Sequence, residues 1–277
     1  MGYRVQNHWL EGSGDDRVVR HDSPNHGGEI TPEFLVIHFT AGRSAKSSVS
    51  WLSDPASKVS AHLVIGRDGS VTQLVAFNRR AWHAGRSQWA GRSDLNSCSI
   101  GVELDNKGKL HRVGNQWRSW FGEVVPDDEV AEAIQKDEHV RSGWHTYSAE
   151  QLEALRKVGA ALATEYRLSD VMGHEDIAPG RKNDPGPLFP MDSFRASVLG
   201  REEGTIPVYI CTTTLNLRDQ PSSSGNKIVP EGLPDGTELR DLGEHVGSWW
   251  RVLVLSTLNG DNDLEGWVHS KYLARKE

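Results

Sequence analysis

The sequence predicts an α/β domain over residues 1–199, with a central mixed β-sheet flanked by helices, joined through a linker at 200–206 to a small all-β barrel over 207–277. Three observations predict it. Short apolar runs alternate with helical patterns through the first region. The pattern breaks at Gly200-Arg201-Glu202-Glu203-Gly204, a charged connector flanked by glycine. Beyond Pro207 the chain consists of short strand-like runs separated by turns. A length of 277 residues also favours two cores over one.

Taken in order, Phe34-Leu35-Val36-Ile37 is a continuous apolar run, the mark of a buried strand, and it leads directly into His38 and a polar turn at Thr40-Ala41-Gly42. Residues 46–52 form a weak helical candidate. Ala61-His62-Leu63-Val64-Ile65 and Val71-Thr72-Gln73-Leu74-Val75 pair as a hairpin through Arg67-Asp68-Gly69-Ser70. Ser99-Ile100-Gly101-Val102-Glu103-Leu104 is a strand whose period of two puts Ile100, Val102 and Leu104 on one face and Gly101 and Glu103 on the other. Residues 107–146 read as a mixed loop.

Ser148-Ala149-Glu150-Gln151 has the capping-box form and opens a helix through Arg167, with Leu152, Leu155, Leu162 and Tyr166 on the stripe that faces the sheet. Asp170-Val171-Met172 is a short strand, and residues 173–190, rich in Gly and Pro, form a loop of fixed shape. In the second region the strand candidates are Leu215-Asn216-Leu217-Arg218, Glu238-Leu239-Arg240, Trp249-Trp250-Arg251-Val252-Leu253-Val254 and Gly266-Trp267-Val268-His269.

Composition excludes several classes. With 36% hydrophobic and 25% charged residues the chain has the balance of a globular protein, and a net charge of −7 argues against a nucleic-acid partner, which needs a surplus of Lys and Arg. Cys98 and Cys211 fall in different predicted domains, so neither a disulfide framework nor a Cys-x-x-Cys metal pair is expected. No run approaches the length of a signal h-region or a membrane span, so the chain as written is expected to carry no export signal. That fits a cytoplasmic protein, or one acting on the cell wall after release or export. The ten Trp offer flat rings for stacking on sugars as well as for packing.

A catalytic metal takes three protein ligands and leaves one position open. Among twelve His, His38 and His174 each follow a predicted strand directly, where a sheet holds a ligand rigidly, and Asp184 lies ten residues beyond His174 in a proline-bearing loop. A lone His at a strand end is also a common hydrogen-bonded structural residue, so the spacing leaves both roles open.

Five ordered blocks carry a family resemblance. They are Val36-Ile37-His38-Phe39-Thr40-Ala41-Gly42, Ser60-Ala61-His62-Leu63, Ala81-Trp82-His83-Ala84-Gly85, the strand ending Val102-Glu103-Leu104, and the run from Gly173-His174-Glu175-Asp176 to Asn183-Asp184-Pro185-Gly186. Over residues 29–191 the chain resembles the type 2 N-acetylmuramoyl-L-alanine amidases, which include anhydro-muropeptide amidases, phage lysozyme-like amidases and peptidoglycan recognition proteins. The resemblance implies one Zn2+ ion held by His38, His174 and Asp184 plus a water, with Asp184 where phage-type members use Cys. It implies Glu103 as the general base and Lys182 as the cation beside the oxyanion. Asp105 shares the strand face of Glu103, and only the resemblance favours Glu103.

His62 and His83 match family blocks in hydrogen-bonded or substrate-lining roles, and Trp82, Trp144 and Tyr147 are candidates for the groove, core packing being the alternative for all three. The C-terminal region resembles a bacterial SH3-type domain through Thr214-Leu215-Asn216-Leu217-Arg218, Gly236-Thr237, Ser248-Trp249-Trp250 and Gly266-Trp267-Val268. Such modules bind wall peptide, which implies a cell-wall partner; peptidoglycan or a muropeptide is the expected substrate, and the chain is expected to be a monomer. Two other readings stand beside the amidase. One is a recognition protein that binds muropeptide without cutting it; the other is a Cys/His endopeptidase with Cys98 as nucleophile.

Overall fold

The apolar run that begins at Phe34 forms the strand Phe34–Phe39, with Leu35, Val36 and Ile37 wholly inaccessible to solvent. A computed structural model describes residues 2–89, 91–136, 138, 140–199, 208–256, 258 and 264–276. The linker expected at 200–206 lies outside the described residues. The chain divides into two compact units, Met1–Gly200 and Arg201–Glu277.

In the first unit a six-stranded sheet runs in the order Asp170–Gly173, Phe34–Phe39, Ser99–Leu104, Leu63–Ile65, Val71–Gln73, Val18–Arg20. Phe34–Phe39 pairs in parallel with the strands on both sides of it, whereas Leu63–Ile65 and Val71–Gln73 are antiparallel, so the sheet is mixed. The expected hairpin between those two strands turns on Gly69, at φ 78°, with the Asp68 carboxylate accepting both the Ser70 N–H at 3.0 Å and its hydroxyl at 2.6 Å.

Alternation along the strands sorts the two faces. Leu35, Ile37, Ile100, Val102, Leu104 and Val171 pack against Leu155, Val158 and Leu162 of helix Ala149–Tyr166 and against Phe194 and Val198 of helix Met191–Val198. Gly159 lets the two helices meet, since a Cβ there would lie 2.5 Å from Val198 Cγ2. On the opposite face Phe34, Val36 and Met172 pack with Leu95, Cys98 and Ile177, and toward the strand ends that face gives way to polar side chains.

Several features of the first unit differ from the sequence reading. Residues 107–146 contain a five-stranded sheet of Val124–Val125, Gln116–Arg118, Lys109–Val113, Arg141–His145 and Val130–Ile134, in that order. Its strands escape notice because, of Lys109–Val113, only Leu110 is buried, and no alternation is visible. Helices His174–Ile177 and Met191–Val198 occupy parts of the chain read as loop or left unassigned. The long helix ends at Tyr166, with Arg167 in a left-handed conformation at φ 49°. Its capping box is half formed: Ser148 accepts the Gln151 N–H at 3.2 Å, but the Gln151 side chain turns inward to donate to Ile65 O at 2.9 Å.

The second unit is all-β, with strands Glu265–His269, Trp249–Val254, Glu238–Val246, Val208–Cys211 and Leu273–Arg275 forming one antiparallel sheet in that order. Leu217, Leu233, Leu239, Val252 and Val268 fill its core. The expected strand at 215–218 makes isolated bridges instead, among them Leu215 with Leu233 and Arg218 with Trp267. Trp249, Trp250 and Trp267 are half-buried. Among the described residues no helix is long and apolar enough to cross a membrane.

Two buried histidines fasten the first unit through backbone bonds. His62 is 0% exposed, its Nδ1 accepting the Gly101 N–H at 3.0 Å and its Nε2–H donating to Arg79 O at 2.9 Å. His145 likewise accepts the Lys107 N–H at 3.1 Å. Burial lowers both pKa values to about 4. The unfolded chain, with an ordinary value near 6.5, therefore takes up more protons than the folded one as pH falls below 6.5 toward 4, and stability is lost across that window. The loss is at most on the order of 3 kcal/mol per histidine. Urea unfolding between pH 7 and pH 4 is expected to show this decline; a flat profile would contradict it.

Candidate metal centre and groove

Parallel register aligns the first elements of the site. Glu103 lies opposite His38, and Gly173 lies opposite Ile37, so His174 follows one step beyond the sheet beside His38. Both imidazoles and the Glu103 carboxylate then sit at the ends of strands whose apolar stretches anchor them. Asp184 comes from the following loop. Its carbonyl accepts the Glu175 N–H at 2.8 Å, and Gly173 leaves room for Pro185, whose Cδ would be 2.6 Å from a Cβ there.

Three donor atoms converge. His38 Nδ1 lies 2.9 Å from His174 Nδ1 and 2.9 Å from Asp184 Oδ2, and His174 Nδ1 lies 3.0 Å from the same oxygen. All three residues are buried, and they are the one group among the described residues with the make-up and spacing to hold a metal ion. The outer ring nitrogens are also engaged: His174 Nε2–H donates to Ala84 O at 3.1 Å, and His38 Nε2 lies 3.0 Å from His83 Nδ1. With its outer nitrogen protonated, a neutral ring turns a lone pair inward. Two inward lone pairs beside a carboxylate oxygen suit a small divalent cation with mixed nitrogen and oxygen ligands.

Charge is tuned in the same place. Burial lowers the His38 pKa to about 4, and neighbouring His174 adds to the effect. Burial alone would raise Asp184, but the two imidazoles set against its Oδ2 outweigh that and hold the carboxyl below its ordinary range. Burial pushes Glu103 well above the ordinary carboxylate range, the charge of Asp184 adds to this, and Lys182 opposes it. One Glu103 oxygen is buried with no hydrogen-bond partner.

The cluster forms the floor of a groove of about 840 Å³, with Glu103, Lys182, Trp82 and His83 also in its lining. Of the other residues expected around the site, Trp144 is buried beneath the loop that carries Asp184, its ring 2.9 Å from where a Gly186 Cβ would stand. Tyr147 donates to Pro185 O at 2.7 Å and so holds the loop from behind. His62 is occupied by the backbone bonds described above and is absent from the groove lining. These three therefore support the walls, because their polar atoms or rings are committed to the fold. Asp105 lies past the end of its strand, with its carboxylate bonded to the Ala45 N–H, so geometry separates it from Glu103. Cys98 is buried in the apolar cluster, outside the groove lining, and burial raises its thiol pKa, which removes the nucleophile reading.

Sequence reasoning missed the rim. Trp51, Trp120 and Phe121 line the groove, with Trp51 59% and Trp120 70% exposed. Trp120 is held by its Nε1–H bond to Ala41 O at 2.8 Å, and Arg43 lies 4.8 Å over the ring of Phe121. The available signal was an aromatic pair in the otherwise polar stretch Arg118-Ser119-Trp120-Phe121-Gly122.

Sequence profiles of known families match both units. The bacterial SH3 domain matches residues 213–274. The 1,6-anhydro-N-acetylmuramyl-L-alanine amidase AmpD of Citrobacter freundii is 36% identical over 143 residues, a match covering 51% of this chain and 58% of that protein. AmpD of Escherichia coli strain K12 is 32% identical over 187 residues, covering 61% of this chain and 83% of the relative. The chain thus spans 58% of the length of the first of these curated relatives. A solved structure of the N-acetylmuramyl-L-alanine amidase AmiD from E. coli, in complex with anhydro-N-acetylmuramic acid-L-Ala-D-gamma-Glu-L-Lys, is 26% identical with a TM-score of 0.46, covering 74% of this chain and 68% of that one. The profile described as N-acetylmuramoyl-L-alanine amidase matches residues 28–187, more than half of the 277, and takes in His38, His174 and Asp184; the chain belongs to that family.

Proposed function

We propose that this protein is a zinc-dependent amidase that hydrolyses the bond between the lactyl group of N-acetylmuramic acid and L-alanine in peptidoglycan or a muropeptide. The observation that carries this reading is the convergence of His38 Nδ1, His174 Nδ1 and Asp184 Oδ2 within 3.0 Å, at the floor of a groove that also contains Glu103 and Lys182. His38, His174 and Asp184 are the proposed zinc ligands. A zinc ion there supplies Lewis-acid polarisation of the scissile carbonyl and acidifies the attacking water.

The rest is done by the chain. Glu103 takes a proton from the water and delivers it to the leaving amine nitrogen of L-alanine, a task suited to a carboxylate whose proton affinity burial has raised well above the ordinary range. The Lys182 ammonium stands beside the developing oxyanion and neutralises it. Trp82 and His83 contact the substrate from the groove wall, with His62, Trp144 and Tyr147 holding that wall in shape. Trp51 and Trp120 offer exposed ring faces at the rim for the sugar, with Phe121 beside them. The SH3-type unit tethers the enzyme to the cell wall, with the half-buried Trp249 and Trp267 available for contact.

Zinc analysis of the purified protein is expected to give one ion per chain, and incubation with peptidoglycan to release L-alanine amino termini without new reducing sugar ends. New reducing ends would overturn the amidase reading, and binding of muropeptide without zinc or turnover would favour a recognition protein. Glu103→Gln is expected to retain zinc while losing about 10²- to 10⁴-fold in kcat, and Lys182→Met about 10²- to 10³-fold. Comparison of zinc content with single-turnover rates checks both. For Trp120→Ala, loss of one stacking contact worth about 1 kcal/mol is expected to raise KM about fivefold with little change in kcat; steady-state kinetics on a soluble muropeptide reads this directly.

A further inference from the structure

The two imidazoles of the metal-binding cluster are oriented from outside by one short piece of chain, His83 and Ala84. The chain of hydrogen bonds has a defined direction. Ser99 Oγ lies 2.6 Å from Leu95 O, and a carbonyl oxygen only accepts, so the hydroxyl proton is committed to that bond. Ser99 Oγ therefore has only lone pairs to offer His83 Nε2 at 3.3 Å, which makes that nitrogen the donor. A neutral His83 ring with Nε2–H has an acceptor at Nδ1, and His38 Nε2, 3.0 Å away, donates to it. The lone pair of His38 Nδ1 is thereby turned toward His174 and Asp184. On the other side Ala84 O accepts from His174 Nε2–H at 3.1 Å, which turns His174 Nδ1 inward as well.

Both outer partners hang on one buried side chain. Asn96 Oδ1 accepts the His83 N–H at 3.0 Å and the Ala84 N–H at 2.8 Å, and Asn96 sits in the short 3-10 turn Leu95–Ser97 that also supplies Leu95 O. Gly101 completes the seat: a Cβ there would lie 2.4 Å from His83 Cγ, so only glycine lets the ring lie against the strand. We propose that His83, Ser99 and Asn96 are positioning residues that fix the tautomer and ring plane of His38 and His174, setting both Nδ1 lone pairs on the metal position. The metal part of this inference rests on the zinc reading above; the tautomer part does not.

The test has two arms on the full chain. In zinc-free protein, long-range ¹H–¹⁵N NMR of the histidine rings is expected to find His83 in the Nε2–H tautomer; an Nδ1–H tautomer at His83 overturns the relay whatever metal is bound. In the second arm, zinc affinity is measured by chelator competition. His83→Leu is expected to weaken it about 10- to 100-fold, with Asn96→Ala and Ser99→Ala also weakened. His83→Asn, whose Oδ1 replaces the Nδ1 acceptor, is expected to stay within about threefold of wild type, a rescue that loss of packing alone would not give. Unchanged affinity in Ser99→Ala and Asn96→Ala beside tight wild-type binding overturns the relay and leaves the zinc reading standing. A wild type that takes up no zinc overturns the zinc reading, and the tautomers then decide the relay.

Discussion

Parallel pairing of Phe34–Phe39 with its two neighbours is the constraint on which the rest of the molecule depends. Register on one side sets Glu103 across from His38, and on the other brings His174 out one step beyond Gly173. Since side chains alternate with a period of two, a slip of one residue in either pairing would drive the apolar set of that strand onto the wrong face and carry the polar residue with it. The same contacts that bury Leu35, Ile37, Ile100 and Val102 against the helices therefore fix which functional groups meet. Stability and site geometry are consequences of one register.

That arrangement places unlike electrostatic demands in a small volume. Burial favours the neutral form of His38, and the hydrogen bonds made by the outer nitrogens of His38 and His174 turn the inner lone pairs toward one another. Asp184 keeps its charge because two imidazoles lie against one of its oxygens. Glu103 has no such bond at its buried oxygen, and its ionised form is costly there. Two carboxylates on one floor are thus driven apart in proton affinity by their immediate partners: one is suited to hold a cation, the other to exchange a proton.

Strand ends were the most legible part of the sequence. An apolar run stopping at His38, another ending near Glu103 and a third just before His174 are visible because burial on both faces demands continuous apolar character. Asp184 was legible only through its spacing and family likeness, since its position depends on contacts from Glu175 and Pro185 that no periodicity encodes. The sheet within residues 107–146 was hidden because most of its residues face solvent, and Trp120 was hidden with it. Asn96 carried no signal, and Ser99 was visible only as the start of a strand. Their importance lies in which lone pair faces which proton, a matter of three-dimensional approach across residues distant in the chain.

The sheet within residues 107–146 does more than present Trp120 and Phe121 to the groove. Strand Arg141–His145 carries Trp144 beneath Gly186, and Gln135, just past Val130–Ile134, donates to the Glu175 carboxylate at 2.5 Å. Lys136 pairs with Asp176 at 2.9 Å, so the same stretch braces the short helix that begins at His174. Its opposite edge presents Trp120 at the rim, tied back to Ala41 in the loop after His38. One sheet thus touches the support of His174 and Asp184 at one end and the entrance of the groove at the other. A change in its strands would be transmitted both ways through packed side chains and hydrogen bonds, which joins the shape of the entrance to the stiffness of the Asp184 loop.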